Sequence, residues 1–461
     1  MGKKYIISGA GFRGFCDALE LLKNPENEVH IIESAPFFGG IAYSREVKGF
    51  YVDKGVHVFD SIPKDLGEIV NEIMDGQTKE IEFVSASAFN GQVTEGFSLP
   101  DLSSLNESTK EQIKRELLQI AKEGSKEDQA QNLKEVFYTK FGDTAGAIFS
   151  QIFEKTYSIS PEEIEPSGMS VTSLHRLKFL DDAEMVELKK DPWLDTVLAA
   201  RRKSMAPLDD LVSLYPSDGK AMKGWCDRAV PWLEKKGAKI SLGEKIISIK
   251  DKDNSVEVHT DKGTYEVDQV IWANDNIEGL ASALGFEFDI KSYQYGTPML
   301  FATMITDVDK IKDFTYVQNF NLERLTFRSA SAGLYSGQVN EQGHSFITCE
   351  CPAVIGSEDW EKPESIIDDL WKEMKDLGVV ASNAELHDYE IVRIPSTFKP
   401  PKIGYQERVD EFYEELPKYS SRVLLRDVRP FFRRTIYNES LKLTELLDEE
   451  NNDTRLQAAL G

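Results

Sequence analysis

Three glycines set between two short apolar runs constrain this chain more than any other feature of its 461 residues. Tyr5-Ile6-Ile7 reads as a buried strand that breaks at Gly9, Gly11 and Gly14, and the alternately apolar stretch to Leu22 reads as a helix. A second apolar run, Val29 to Ile32, ends on Glu33. Each part has a task in a βαβ unit that binds a dinucleotide. Gly9 permits the tight turn, Gly11 lets a pyrophosphate approach the backbone, and Gly14 allows helix and strand to touch. The free amides and positive end of the helix dipole face the phosphates. Glu33 can accept hydrogen bonds from ribose hydroxyls and would repel a 2′-phosphate, which leaves FAD or NAD rather than NADP.

The rest of the composition narrows the function classes. With 41% hydrophobic and 29% charged residues the chain is of globular type, long enough for two or three domains. A net charge of −25 disfavours nucleic acid and anionic membrane as partners, while an anionic substrate stays possible in a locally basic site. No apolar run approaches the length of a membrane span, and Lys3-Lys4 before three apolar residues is not a signal peptide, so a cytoplasmic location is expected. Cys16, Cys226, Cys349 and Cys351 are too few and scattered for a disulfide framework or a zinc site, and no metal site is expected. An oligomer is possible.

Along the chain, Phe50 to Phe59 alternates as a strand and Pro63 to Met74 as a helix. Gln77 to Leu102 is strand-like and turn-rich. Asn106 to Asn132 reads as a charged surface helix, and Leu133 to Tyr157 as a helical core segment rich in Phe. Leu214 to Gly219 reads as a loop before a helix from Met222 to Lys236. Strands follow at Lys239 to Leu242, Lys245 to Lys250, Val256 to Thr260 and Tyr265 to Val267, and Gln269 to Ala273 can return to complete the first sheet. Later strands fall at Leu300 to Ile305, Thr315 to Val317, Arg324 to Ser329, Ser345 to Cys351 and His387 to Arg393, with a helix from Pro363 to Leu377. Val423 to Asp427 is a last strand, followed by a helix from Thr435 to Leu447 and an acidic tail.

Five stretches together resemble the flavoprotein superfamily of amine oxidases, protoporphyrinogen oxidase, phytoene desaturases and UDP-galactopyranose mutase. They are Gly9-x-Gly11-x-x-Gly14 with Glu33, Gly39-Gly40-Ile-Ala-Tyr-Ser44, Asp53-Lys-Gly55-Val-His57-Val-Phe59, Tyr215-Pro-Ser-Asp-Gly219, and Asp268-Gln-Val-Ile-Trp-Ala273. The resemblance implies an α/β fold: a discontinuous Rossmann-type FAD-binding domain (GR2-like) from residues 1–75, 207–290 and 416–447, a largely helical insertion at 76–206, and a mixed α/β substrate domain at 291–415. It implies FAD as cofactor, held by Gly9, Gly11, Gly14, Glu33, Gly39, Gly40, Gly55, His57, Ile246 and Asp427. The C-terminal glycines of many oxidases are missing around Asp427, and Arg422, Arg426 or Arg429 could neutralise the diphosphate instead.

Tyr316-Val-Gln-Asn, Thr326-Phe-Arg328-Ser and Phe346 to Pro352 resemble the mutase's arginine-containing and Glu-x-Pro strands. Arg328 and His57 are the expected catalytic residues, and Arg328, Tyr316 and Arg429 the expected substrate contacts. Arg328 could pair bidentately with a phosphate or carboxylate, or sit in a salt bridge of this acidic chain. Three readings follow. The first is an FAD oxidoreductase accepting hydride from a small molecule, such as an amine, onto flavin N5. The second is a non-redox nucleotide-sugar mutase with reduced flavin N5 as nucleophile. The third is a flavin-free nucleotide-binding protein.

Overall fold

The computed structural model describes residues 2–201, 210–426 and 432–448. The first apolar runs become β1 (Lys4–Ser8) and β2 (Glu28–Glu33), joined by α1 (Phe12–Leu21). They lie in a five-stranded parallel sheet in the order Ala238–Leu242, β2, β1, Gln269–Trp272, Val423–Leu425. Successive side chains of a strand point to opposite faces. Ile7 and Ile31 therefore pack with Phe15, Phe38 and Trp225 on one side. Ile6, Ile32 and Val270 pack with Ile277 and Phe412 on the other. Both faces are covered, which is why these strands are apolar throughout rather than alternating. Phe412 belongs to the helix Tyr405–Tyr419, so part of the segment expected in the second domain packs on the first.

The second sheet has seven strands, ordered Asp388–Ile394, Met299–Asp307, His344–Pro352, Arg328–Ala330, Tyr316–Asn319, Ser85–Phe89, Gln92–Glu95. Leu300, Ala302, Met304, Cys349 and Cys351 turn to one face, beneath Leu370 and Met374 of the helix Ile367–Asp376. Phe301, Ile305 and Phe346 turn to the other face and join the core shared with the first sheet. The same alternation sends Glu350, between the two buried cysteines, toward that shared side. Within 76–206, the stretch expected to be strand-like from Gln77 holds the hairpin Ser85–Phe89/Gln92–Glu95, which extends this sheet through Ser87↔Gln318 pairing. The rest does form a helical layer. Asn106 and Asn132 cap the helices Glu107–Glu123 and Leu133–Tyr157 by accepting from the third amide beyond each. Phe137, Phe141, Phe149 and Phe153 fill its core.

Other expectations shift for local reasons. The strand expected over Phe50 to Phe59 breaks into Phe50–Val52 and Phe59–Pro63, because Gly55 takes a left-handed φ of +105° between them. The loop expected at Leu214 to Gly219 begins as a strand, Leu211–Pro216, paired with Phe59–Pro63. The strand expected over Arg324 to Ser329 is only Arg328–Ala330, since the amides of Leu325 and Thr326 donate to the Glu373 carboxylate at 2.7 and 3.0 Å. The last helix is two, Arg433–Ser440 and Leu443–Asp448. Among the described residues no helix is long and apolar enough to cross a membrane.

Candidate cofactor and substrate site

The turn from β1 into α1 is made by close backbone approach. Gly9 has φ +109°, and its N–H donates to Ile32 O at 2.8 Å. A Cβ on Gly14 would lie 2.0 Å from the Gly9 carbonyl oxygen, so a larger residue would force α1 off β1. A Cβ on Gly11 would meet nothing within 4 Å, so the helix start faces open space. α1 has no side-chain cap and no acid in its first turn.

Glu33 forms the rim of this space. One of its oxygens accepts from Ala10 N at 2.9 Å, and the other from Ala35 N at 2.7 Å and Ser34 Oγ at 3.1 Å. The oxygen that accepts from Ala10 N alone keeps acceptor capacity for a ribose hydroxyl. The amides of Gly243 and Glu244 donate to the carbonyls of Ala35 and Glu33, both at 2.8 Å, which brings the strand beginning at Ile246 to the same rim. Gly39 N donates to Ala10 O at 2.8 Å, and a Cβ there would lie 2.2 Å from Cys226 Sγ. Gly9, Gly11, Gly14, Glu33, Gly39, Gly40 and Ile246 therefore share one neighbourhood.

A buried carboxylate links this end to the next. Asp53 accepts from Ser44 Oγ at 2.5 Å, Tyr215 OH at 2.6 Å and Met222 N at 3.3 Å. Burial raises its carboxyl to about 6, against the lowering effect of those donors. Three of the five motif stretches thus meet at one side chain, whose role the sequence did not reveal.

Beyond Asp53, a Cβ on Gly55 would lie 3.5 Å from Arg328 Nη2 and 3.7 Å from Glu350 Oε1. Strand register sets Arg328 opposite Glu350. The guanidinium donates from Nε and Nη2 to that carboxylate at 2.7 and 3.0 Å. The bidentate carboxylate partner expected for Arg328 is therefore supplied by the chain itself. What stands beside Gly55 is a fixed ion pair with Nη1 as the remaining donor nitrogen. Burial, then the positive charges of Arg433 and Arg328, lower His57 to about 3, so it is neutral at pH 7. Its Nε2 lies 3.1 Å from Lys54 O, which assigns the proton to Nε2 and leaves Nδ1 as an acceptor. The Tyr316 and Tyr335 phenols both act electrostatically on Arg328. Tyr335 OH is buried with no hydrogen-bond partner among the described residues, its ring edge-on to Tyr215 at 5.2 Å. Asp53, Arg328 and Glu350 all act electrostatically on this phenol, which keeps a hydrogen to donate.

The basic cluster near the C-terminus divides. Arg426 is buried and ion-paired with Asp17 of α1, and Arg422 donates to the carbonyls of Asp268 and Asp253 at 3.4 Å, so neither faces a diphosphate. Asp427 and Arg429 lie outside the described residues. Arg433, offered by the sequence only as one of the cluster Arg426, Arg429, Arg433 and Arg434 that could pair with FAD or an anionic substrate, donates to Val58 O at 2.5 Å and lies over the rings of Phe12 and Phe59, 5.6 and 5.1 Å from their centroids. That places a cation beside the start of α1. Its only signal in the sequence was its membership of a basic cluster in an acidic chain. All four cysteines are free and buried, and burial raises their thiols.

The donor set fits FAD: an open, uncapped helix start for a diphosphate, a carboxylate rim for a ribose, and main chain at Gly55 against which a flat ring can lie. Comparison with known proteins agrees at the level of fold. Residues 7–73 match an NAD(P)-binding Rossmann-like domain. No curated protein sequence matches. Reduced UDP-galactopyranose mutase superposes with a TM-score of 0.72 at 14% identity, over 99% of both chains. A protein described as a protoporphyrinogen oxidase from Exiguobacterium sp. 255-15 gives 0.65 at 16% identity, over 98% of this chain and 100% of that one. A putrescine oxidase bound to putrescine gives 0.59 at 12% identity, over 96% and 98%. Over nearly its whole length the chain thus shares the fold of these three proteins.

Proposed function

We propose that this chain is a flavoenzyme that holds FAD from Glu33 to Gly55 and transforms a small molecule beside His57 and Arg328. The observation that carries the reading is the convergence of Gly55, neutral His57, the Arg328–Glu350 fork and the unpartnered Tyr335 phenol at one end of the glycine-lined path. Gly11 and the α1 amides would hold the diphosphate with Arg433 as counter-charge, Glu33 the ribose, and Gly39-Gly40 the stretch between. FAD supplies a hydride acceptor at N5 when bound. His57, with a free Nδ1 acceptor, would fix a hydrogen-bond donor at the ring edge. Tyr316, Tyr335 and Arg328 Nη1 would orient the substrate. Because Arg328 is neutralised by Glu350, the described part of the cleft favours a neutral or cationic substrate, such as an amine, over a diphosphate. Oxidoreduction is therefore the first reading.

The second reading, a nucleotide-sugar mutase, rests on the end-to-end match with that enzyme's fold. The purified chain should be yellow with a flavin absorbance band; a colourless chain that FAD cannot reconstitute overturns both readings. Anaerobic mixing with an amine panel should bleach the band under the first reading. No bleaching, together with a thermal shift on UDP that requires dithionite-reduced flavin, would establish the second instead.

A further inference from the structure

Away from the cleft, three ligating side chains converge at one end of the second sheet. Asp307 ends the strand Met299–Asp307, His344 begins the strand His344–Pro352, and His387 immediately precedes the strand Asp388–Ile394. These are three adjacent strands, with Met299–Asp307 in the middle. Antiparallel register sets Asp307 opposite His344, and His387 N donates to Ile305 O at 2.9 Å. His387 Nε2 lies 3.1 Å and His344 Nε2 3.6 Å from the same oxygen, Asp307 Oδ1. One donor atom from each of the three residues lies within 4.8 Å of the other two. The imidazoles stack with centroids 4.1 Å apart and planes 18° from parallel.

We propose that Asp307, His344 and His387 form a binding site for a divalent first-row transition metal, with zinc the best match. At 3.6 Å His344 Nε2 is beyond hydrogen-bond distance of Asp307 Oδ1, so hydrogen bonding to that oxygen accounts for His387 and not for His344. Ligand atoms bonded to tetrahedral zinc at about 2.0–2.1 Å are about 3.3 Å apart, and the two measured separations bracket that spacing. Two imidazole nitrogens and one carboxylate oxygen suit zinc, copper, nickel or iron and not magnesium or calcium, which take oxygen ligands. The side chains of Asp307, His344 and His387 keep 40, 24 and 29% of their exposure, so an ion reaches them from solvent and keeps an open coordination position. Phe301 pairs with Glu350 six residues along the strand from Asp307, so this site stands about 20 Å from the cleft. Its metal would clamp three strand ends and stabilise only the folded sheet.

The test uses the untagged, cofactor-loaded chain and zinc chloride, read by isothermal titration and thermal melting. One zinc equivalent should bind and raise Tm, with magnesium and calcium giving no shift and the flavin spectrum unchanged. His344→Gln with His387→Gln should weaken zinc at least about a hundredfold, tenfold or more per ligand, while melting without zinc stays near the parent value. Asp307→Asn keeps the side-chain shape and should also weaken binding. Absence of zinc binding by the parent chain, or affinity unchanged in the double variant and in Asp307→Asn, overturns the proposal.

Discussion

Two arginine–carboxylate pairs, Arg426–Asp17 and Arg328–Glu350, differ in their surroundings. Arg426 and Asp17 keep 6 and 0% of their side-chain exposure and join the C-terminal strand to α1, with Ser440 Oγ donating to the same aspartate oxygen at 2.8 Å. Arg328 and Glu350 keep 23 and 12%, come from neighbouring strands, and border Gly55 and the orphaned Tyr335 phenol. The first pair is sealed, so each partner exists to compensate the other. The second retains a donor and an open side, so it can meet a ligand. Similar chemistry therefore reads as architecture in one place and as a candidate site in the other, and accessibility separates them.

The contrast can be broken experimentally. Arg426→Met should cost about 3–5 kcal/mol in chemical denaturation, because it strands a buried aspartate, and adding Asp17→Asn should recover part of that loss. A loss below about 1 kcal/mol would remove the sealed pair from the account of the fold. Asp53, buried against Ser44, Tyr215 and Met222, should give the next largest effect. Its folded-state value of about 6 exceeds the ordinary carboxyl value near 4. The folded chain therefore holds this proton more tightly than the unfolded one, and stability from this group is present at low pH and falls between about pH 4 and 6. The decline should be about 2–3 kcal/mol and absent from Asp53→Asn, checked by urea melts of both proteins across that range.

Arg328→Lys keeps the charge but loses the fork. Turnover should fall about 10–100-fold, with flavin content and Tm close to the parent. A Tm loss matching that of Arg426→Met would make this pair architectural too. The smallest effect belongs to a position far from both pairs. Asn106→Ala, which removes the cap on Thr109 N at 2.9 Å, should cost about 1 kcal/mol and leave turnover unchanged.

Legibility in the sequence followed the range of the forces involved. Gly9, Gly11, Gly14 and Glu33 were readable because turn sterics, helix dipole and strand period act within a few residues. Gly55 and His57 stood out through their spacing in a resembling motif, and in the structure Gly55 lies beside Arg328. Arg433 was obscured because its neighbours Phe12, Val58 and Phe59 are distant in sequence. Strand breaks at Gly55 and at Thr326 were missed since a left-handed glycine and the Glu373 carboxylate override local alternation.

By itself the sequence determined the βαβ unit, the apolar strands that must be covered on both faces, and the capped helices, since each is written in consecutive residues. Only the tertiary structure decided that Arg328 meets Glu350, that Arg426 closes on Asp17, and that Asp307, His344 and His387 share one corner. Those meetings depend on which strands pair and in what register. Register is set by packing whole faces together, a cooperative property that no short stretch of sequence carries.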